Sequence, residues 1–143
     1  MTSENRLRFY GKFDPEYVDG RIWRLNNPAR QWGFITEEGV PIAPKDGFIT
    51  DFASVPRLLW RIFPPTGDGP SRAWGPAAVI HDWLYSQGQV VGATITRKWA
   101  DNQFLSAMTA TGVTQWVAKL LYFGVRVGGF AIWNSYRRER SAG

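Results

Sequence analysis

The residues able to do chemistry gather around His81, the one histidine in the chain, with Asp82 beside it, Tyr85 four positions on and Asp101 further along. A neutral imidazole can take a proton from water through one ring nitrogen. A carboxylate on the other nitrogen then fixes the tautomer and stabilises the charge that forms. Asp101 is the candidate for that carboxylate, and Tyr85 for the hydroxyl that orients it. Asp82 is left for a cation, its shell completed by loop carbonyls or by Asp51 or Asp68. Such a cation would polarise a substrate carbonyl and stabilise its oxyanion. The chain has no cysteine and a single histidine, so a thiolate or multi-histidine site within one chain is excluded. A metal held by oxygen points to calcium or magnesium.

These side chains act together only if helices bring them together. Gly75 to Gly88, GPAAVIHDWLYSQG, reads as a short, largely buried helix, with Pro76 in its first turn and Gly88 at its end. His81 and Tyr85 then share a face, and Asp82 lies about 100° around the axis. Thr96 is the expected N-cap of a second helix from Arg97 to about Thr111, closed by Gly112, with Trp99, Phe104, Leu105 and Met108 as its apolar stripe. The connector Gln89–Ile95 is short, which favours antiparallel packing and places Asp101 opposite His81. A third helix runs from Gln115 to roughly Arg137. Trp116, Val117, Leu120, Val127 and Ala131 are its expected apolar face, its Trp and Phe residues core or interface, and Gly124 and Gly128 points of close approach.

Residues 1–50 read as a meander of short strands near 7–13, 21–25, 31–36 and 47–50, with a hairpin turning at Glu37-Glu38. Residues 51–75 read as loop, with Ser54 or Asp51 capping a short helix through Arg57–Trp60 and a turn at Gly67-Asp68-Gly69. The expected fold class is α+β in a single domain, 1–143. A small antiparallel β-rich N-terminal half (1–50) and a loop-rich stretch (51–75) precede a helical hairpin carrying the site (76–111) and a long C-terminal helix (114–138).

A length of 143 residues, 44% of them hydrophobic, suffices for one domain with a core. Eight tryptophans suggest that some rings meet a partner surface. The net charge of +5 favours acidic partners such as lipid headgroups, without marking any specific nucleic-acid contact. The polar start, MTSENRLRFYGKF, is not a secretory signal pattern, and no run of about 20 apolar residues marks a membrane span. Arg137, Arg138 and Arg140 place positive charge where a helix dipole favours it, as in a docked helix or one lying at an anionic interface.

The paired stretches Thr50-Asp51-Phe52-Ala53-Ser54-Val55-Pro56-Arg57 and Ala78-Val79-Ile80-His81-Asp82-Trp83-Leu84-Tyr85 resemble the phage and prophage family catalogued as domain of unknown function 1353. Phe52 stands where that pattern usually has glycine. The resemblance covers about residues 7–110 and implies a tailed-phage or prophage origin. The helix motif also resembles the H-D-x-x-Y helix of secreted phospholipases of the A-two type, and Asp101-Asn102-Gln103-Phe104 their D-x-x-F segment. That second resemblance implies His81 as base, Asp101 as orienting carboxylate, Tyr85 as its partner and Asp82 as a calcium ligand. Those enzymes carry disulfides, which this chain lacks, and a Gly-rich calcium loop. The leading expectation is therefore a phage protein with a phospholipase-like, calcium-dependent ester hydrolase site for host membrane lipid. The alternative is a non-catalytic virion component, a tail or connector subunit, using the same residues as a buried polar network. It would meet other virion proteins, or further copies of itself, through Trp-rich surfaces and the C-terminal helix. Virion and bacterial host cytoplasm are the expected locations.

Overall fold

A computed structural model describes residues 8–20, 22–52, 55–64 and 73–142. The β-rich half comprises β1 (Phe9–Tyr10), β2 (Pro15–Asp19), β3 (Ile22–Leu25), β4 (Gly33–Ile35), β5 (Pro41–Ile42) and β6 (Ile49–Thr50). The helical half comprises α1 (Arg57–Ile62), α2 (Gly75–Gln87), a hairpin of β7 (Gln89–Val90) and β8 (Ala93–Thr94), α3 (Arg97–Thr111) and α4 (Gln115–Ala142). The architecture is α+β, an antiparallel β-rich half followed by helices, as the sequence implied.

The strands do not form a simple meander. They interleave into two three-stranded antiparallel sheets, β1-β4-β5 and β2-β3-β6. The predicted hairpin is present, with Phe34 opposite Ile42 and Ile35 opposite Pro41. β1 however reaches past the β2–β3 hairpin to pair with β4, and β6 returns to β3. Asn27 helps to fix that crossing. Its side chain is fully buried, donates to Trp32 O (3.0 Å) and Pro44 O (2.6 Å), and accepts from Trp32 N (2.8 Å). A buried amide with these partners stays satisfied, whereas an apolar residue would orphan three backbone groups.

The helices form where the sequence placed them. The Thr96 hydroxyl accepts from Trp99 N at 3.0 Å, capping α3. Gly88 and Gly112 close α2 and α3 in the left-handed conformation (φ 64° and 84°), which costs glycine no Cβ clash. α1 begins after Pro56 as its N-cap, so Asp51 is not the cap; Ser54 and the Gly67-Asp68-Gly69 turn lie outside the described residues. The short connector between α2 and α3 contains the β7–β8 hairpin. At one end of the pair Ile95 N donates to Gly88 O (3.1 Å), and at the other Thr111 Oγ1 donates to Ala73 O (3.0 Å). α2 and α3 are therefore antiparallel.

The core joins both halves. Trp32, Phe34, Ile42 and Phe52 meet Trp74, Ile80, Leu84, Phe104 and Leu121, all essentially buried. α2 is enclosed on every side: Ala77 to Tyr85 are buried without exception. Of the face expected of α4 only Val117 turns inward. Val117, Ala118, Leu121, Val125 and Gly129 are buried, while Trp116, Leu120, Val127 and Ala131 are exposed. The helix also runs to Ala142, beyond the expected Arg137.

Candidate functional site

α2 presents His81 and Tyr85 on one face, and antiparallel α3 presents Asp101 to both. His81 Nε2 lies 2.7 Å from Asp101 Oδ1, and the Tyr85 hydroxyl donates to the same oxygen at 2.6 Å. The other carboxylate oxygen accepts from Arg126 Nη1 on α4 (2.7 Å) and from Arg97 Nη1 one turn before it on α3 (3.3 Å). His81, Tyr85 and Asp101 are fully buried. Phe104 and Tyr85 pack on the imidazole, with ring centroids 4.9 and 4.2 Å away.

Burial by itself would push the Asp101 carboxyl up. The bonds and charge of His81, with the bonds from Tyr85 and Arg126, outweigh it and hold the group below the ordinary carboxylate range. Asp101 is therefore ionised and can only accept. His81 Nε2 therefore donates to it, whichever protonation state the ring takes. Burial, and then the bond and charge of Asp101, push the Tyr85 phenol well above its usual value, so it remains a donor. Arg97 adds two bonds to the carbonyls of Val125 and Arg126 (3.1 and 3.2 Å), tying the site to α4.

Asp82 lies about 100° around α2 from His81 and meets a strand of the β-rich half. It is buried, and the Thr50 hydroxyl at the end of β6 donates to its Oδ2. Asp51 follows Thr50 and is half-buried. Burial, then the charges of Asp82 and Asp51, raise the Tyr136 phenol on α4, so both acids lie within electrostatic reach of that helix. Asp68 lies outside the described residues. Among the described residues, no group of three or more His, Asp or Glu side chains converges as a metal shell. Calcium takes six to eight oxygens. Asp82, which the Thr50 hydroxyl engages, and Asp51 beside Thr50 would make up only part of such a shell.

His81, Asp101 and Tyr85 thus meet as their spacing required. Arg97, Arg126 and Thr50 are the participants that sequence reasoning missed. Arg97 was legible, because it sits four residues before Asp101 on one helix. Arg126 was not, since only the fold of α4 back along α3 brings it there. Phe52 adopts φ 55°, a left-handed conformation that explains the glycine usual at this point of the pattern. Here the ring is buried against Trp60 and Trp74, at centroid distances of 5.7 and 6.0 Å.

The fold and site define an α+β domain built around a buried His–Asp–Tyr network with two arginine counter-ions. Residues 23–125 match the family described as "Protein of unknown function (DUF1353)", and the chain belongs to that family. No curated protein and no solved structure matches it.

Proposed function

We propose that the His81–Asp101 couple is the general base of a phospholipase-like ester hydrolase, carried by a phage or prophage protein and directed at host membrane lipid. The observation that carries this reading is the shared oxygen: Asp101 Oδ1 meets both His81 Nε2 and the Tyr85 hydroxyl. In this reading the neutral ring uses its other nitrogen, Nδ1, to draw a proton from a water attacking an ester carbonyl. The proton stays on the imidazole, whose positive charge the Asp101 carboxylate stabilises, and is returned to the leaving alkoxide. Arg97 and Arg126 hold the second oxygen of Asp101, which fixes the carboxylate opposite the imidazole. The imidazole is closed off from solvent in this structure, so turnover requires that the groups covering it move aside.

A second reading has an observation of its own. His81, Asp82, Tyr85 and Asp101 are all buried, and every one of them accepts or donates a hydrogen bond within the core. The same residues then serve a non-catalytic virion component as a buried polar network. Release of fatty acid from phospholipid vesicles by the full chain, lost in His81→Gln, is the result expected of the hydrolase. No release by wild-type protein, on vesicles or on a soluble short-chain ester, would leave the structural reading. Thermal stabilisation by millimolar calcium, abolished in Asp82→Asn, would add the ion to the site with ligands beyond Asp82 and Asp51.

A further inference from the structure

We propose that the outer face of α4, together with the adjoining side of α1, docks the protein on an anionic lipid bilayer. Trp116, Phe123, Val127 and Phe130 are 62%, 65%, 60% and 57% exposed, and Leu120 is exposed as well. Steps of four, three, four and three residues keep these five side chains in one stripe along the helix. The stripe lies opposite the buried one, Val117 to Gly129; Trp116 at its start meets Phe63 edge-on at a centroid distance of 5.5 Å and still stays mostly exposed. α1 lies alongside: a Cβ on Gly124 would meet Leu59 Cδ1 at 2.9 Å and Pro56 Cδ at 3.3 Å. From α1, Leu58 and Ile62 add two more exposed apolar side chains.

Charge selects the occupant. α4 carries Lys119, Arg126, Arg137, Arg138 and Arg140 against a single acid, Glu139. Arg126 turns inward to Asp101, and Arg140 turns to the carbonyls of Tyr85 and Ser86 at the end of α2. Lys119, Arg137 and Arg138 remain exposed, and Arg61 of α1 is exposed too. A row of aromatic and aliphatic side chains flanked by cations matches the boundary between acyl chains and negative headgroups. The same spacing would suit a coiled coil, but a second copy would set cations against cations with almost no acids to pair them. No helix among the described residues is long and apolar enough to cross a membrane, so the helix lies on the bilayer. The surface shares its lipid with the hydrolase reading but does not depend on a working base.

The test is cosedimentation of the full chain with vesicles rich in phosphatidylglycerol and, separately, with vesicles of phosphatidylcholine alone. Binding to the anionic vesicles is expected to be at least about tenfold tighter and to weaken as salt is raised. Phe123→Glu is expected to lose at least about tenfold in binding with unchanged thermal unfolding, because its side chain meets solvent. His81→Gln is expected to bind as wild type does, which separates docking from hydrolysis. Equal binding to both kinds of vesicle would overturn the proposal, as would wild-type binding by Phe123→Glu. A dimer of the free chain that Phe123→Glu dissociates, seen by light scattering, would overturn it too by assigning the face to a second copy.

Discussion

Replacing Asp101 with asparagine removes one charge and almost no volume from the centre of the molecule. The variant keeps an oxygen for His81 and Tyr85 but turns an amide toward Arg97 and Arg126, so donors face donors. Breaking a buried ion network from one side costs roughly 3–5 kcal/mol. The Arg97 and Arg126 side chains are 20% and 29% exposed, so water recovers part of the loss. The expected cost at pH 7 is therefore about 3 kcal/mol. For a domain of this size that lowers Tm by about 6–12 °C. The sign of the pH dependence follows from the direction of the Asp101 shift, which is downward. The unfolded chain binds the proton more readily, so the stabilisation is complete above a pH of about 4 and is lost as pH falls through the lower folded value. The amide of the Asp101→Asn variant has nothing to titrate, so the gap between wild type and variant closes in acid. Urea unfolding of both proteins across that range measures it. A cost below about 1 kcal/mol at neutral pH, or a gap that does not narrow in acid, would refute the view that an ionised Asp101 organises the three helices.

Gly129→Ala would put a Cβ 2.6 Å from the Tyr85 hydroxyl and 3.4 Å from Arg97 Nη1, and is expected to cost about 1–3 kcal/mol in urea unfolding. Gly128→Ala, one residue earlier, meets only Pro56 Cγ at 3.6 Å and is expected to be neutral or to gain up to about 1 kcal/mol from helix propensity. Phe52→Ala and Phe52→Gly both lose the buried ring, at roughly 3–5 kcal/mol. Because φ is 55° there, the glycine variant is expected to be the more stable of the two by about 1 kcal/mol, the reverse of the usual order, and thermal unfolding of the pair reads the difference.

The helical half was legible because its signals are local. Thr96, Gly88 and Gly112 act within a turn of the helix ends they set, and the apolar run around His81 could only be buried. The meeting of His81 with Asp101 was legible for the same reason: two capped helices and a short connector leave little but a hairpin. The order of strands was not, because two-residue strands carry almost no register information of their own, and long-range partners such as Asn27 and Trp32 settle the pairing. α4 shows the limit most clearly. Its sequence is apolar on two opposite sides, so periodicity names two stripes and cannot say which one faces the core. Only the neighbouring helices decide that, by presenting Tyr85 where Gly129 leaves room and Asp101 where Arg126 can reach it. The sequence by itself determined which side chains could act as base, carboxylate and hydroxyl. Tertiary structure decided that two arginines bond the second oxygen of the carboxylate, that the imidazole is enclosed, and that a second apolar face is left to solvent, because each depends on segments brought together from distant parts of the chain.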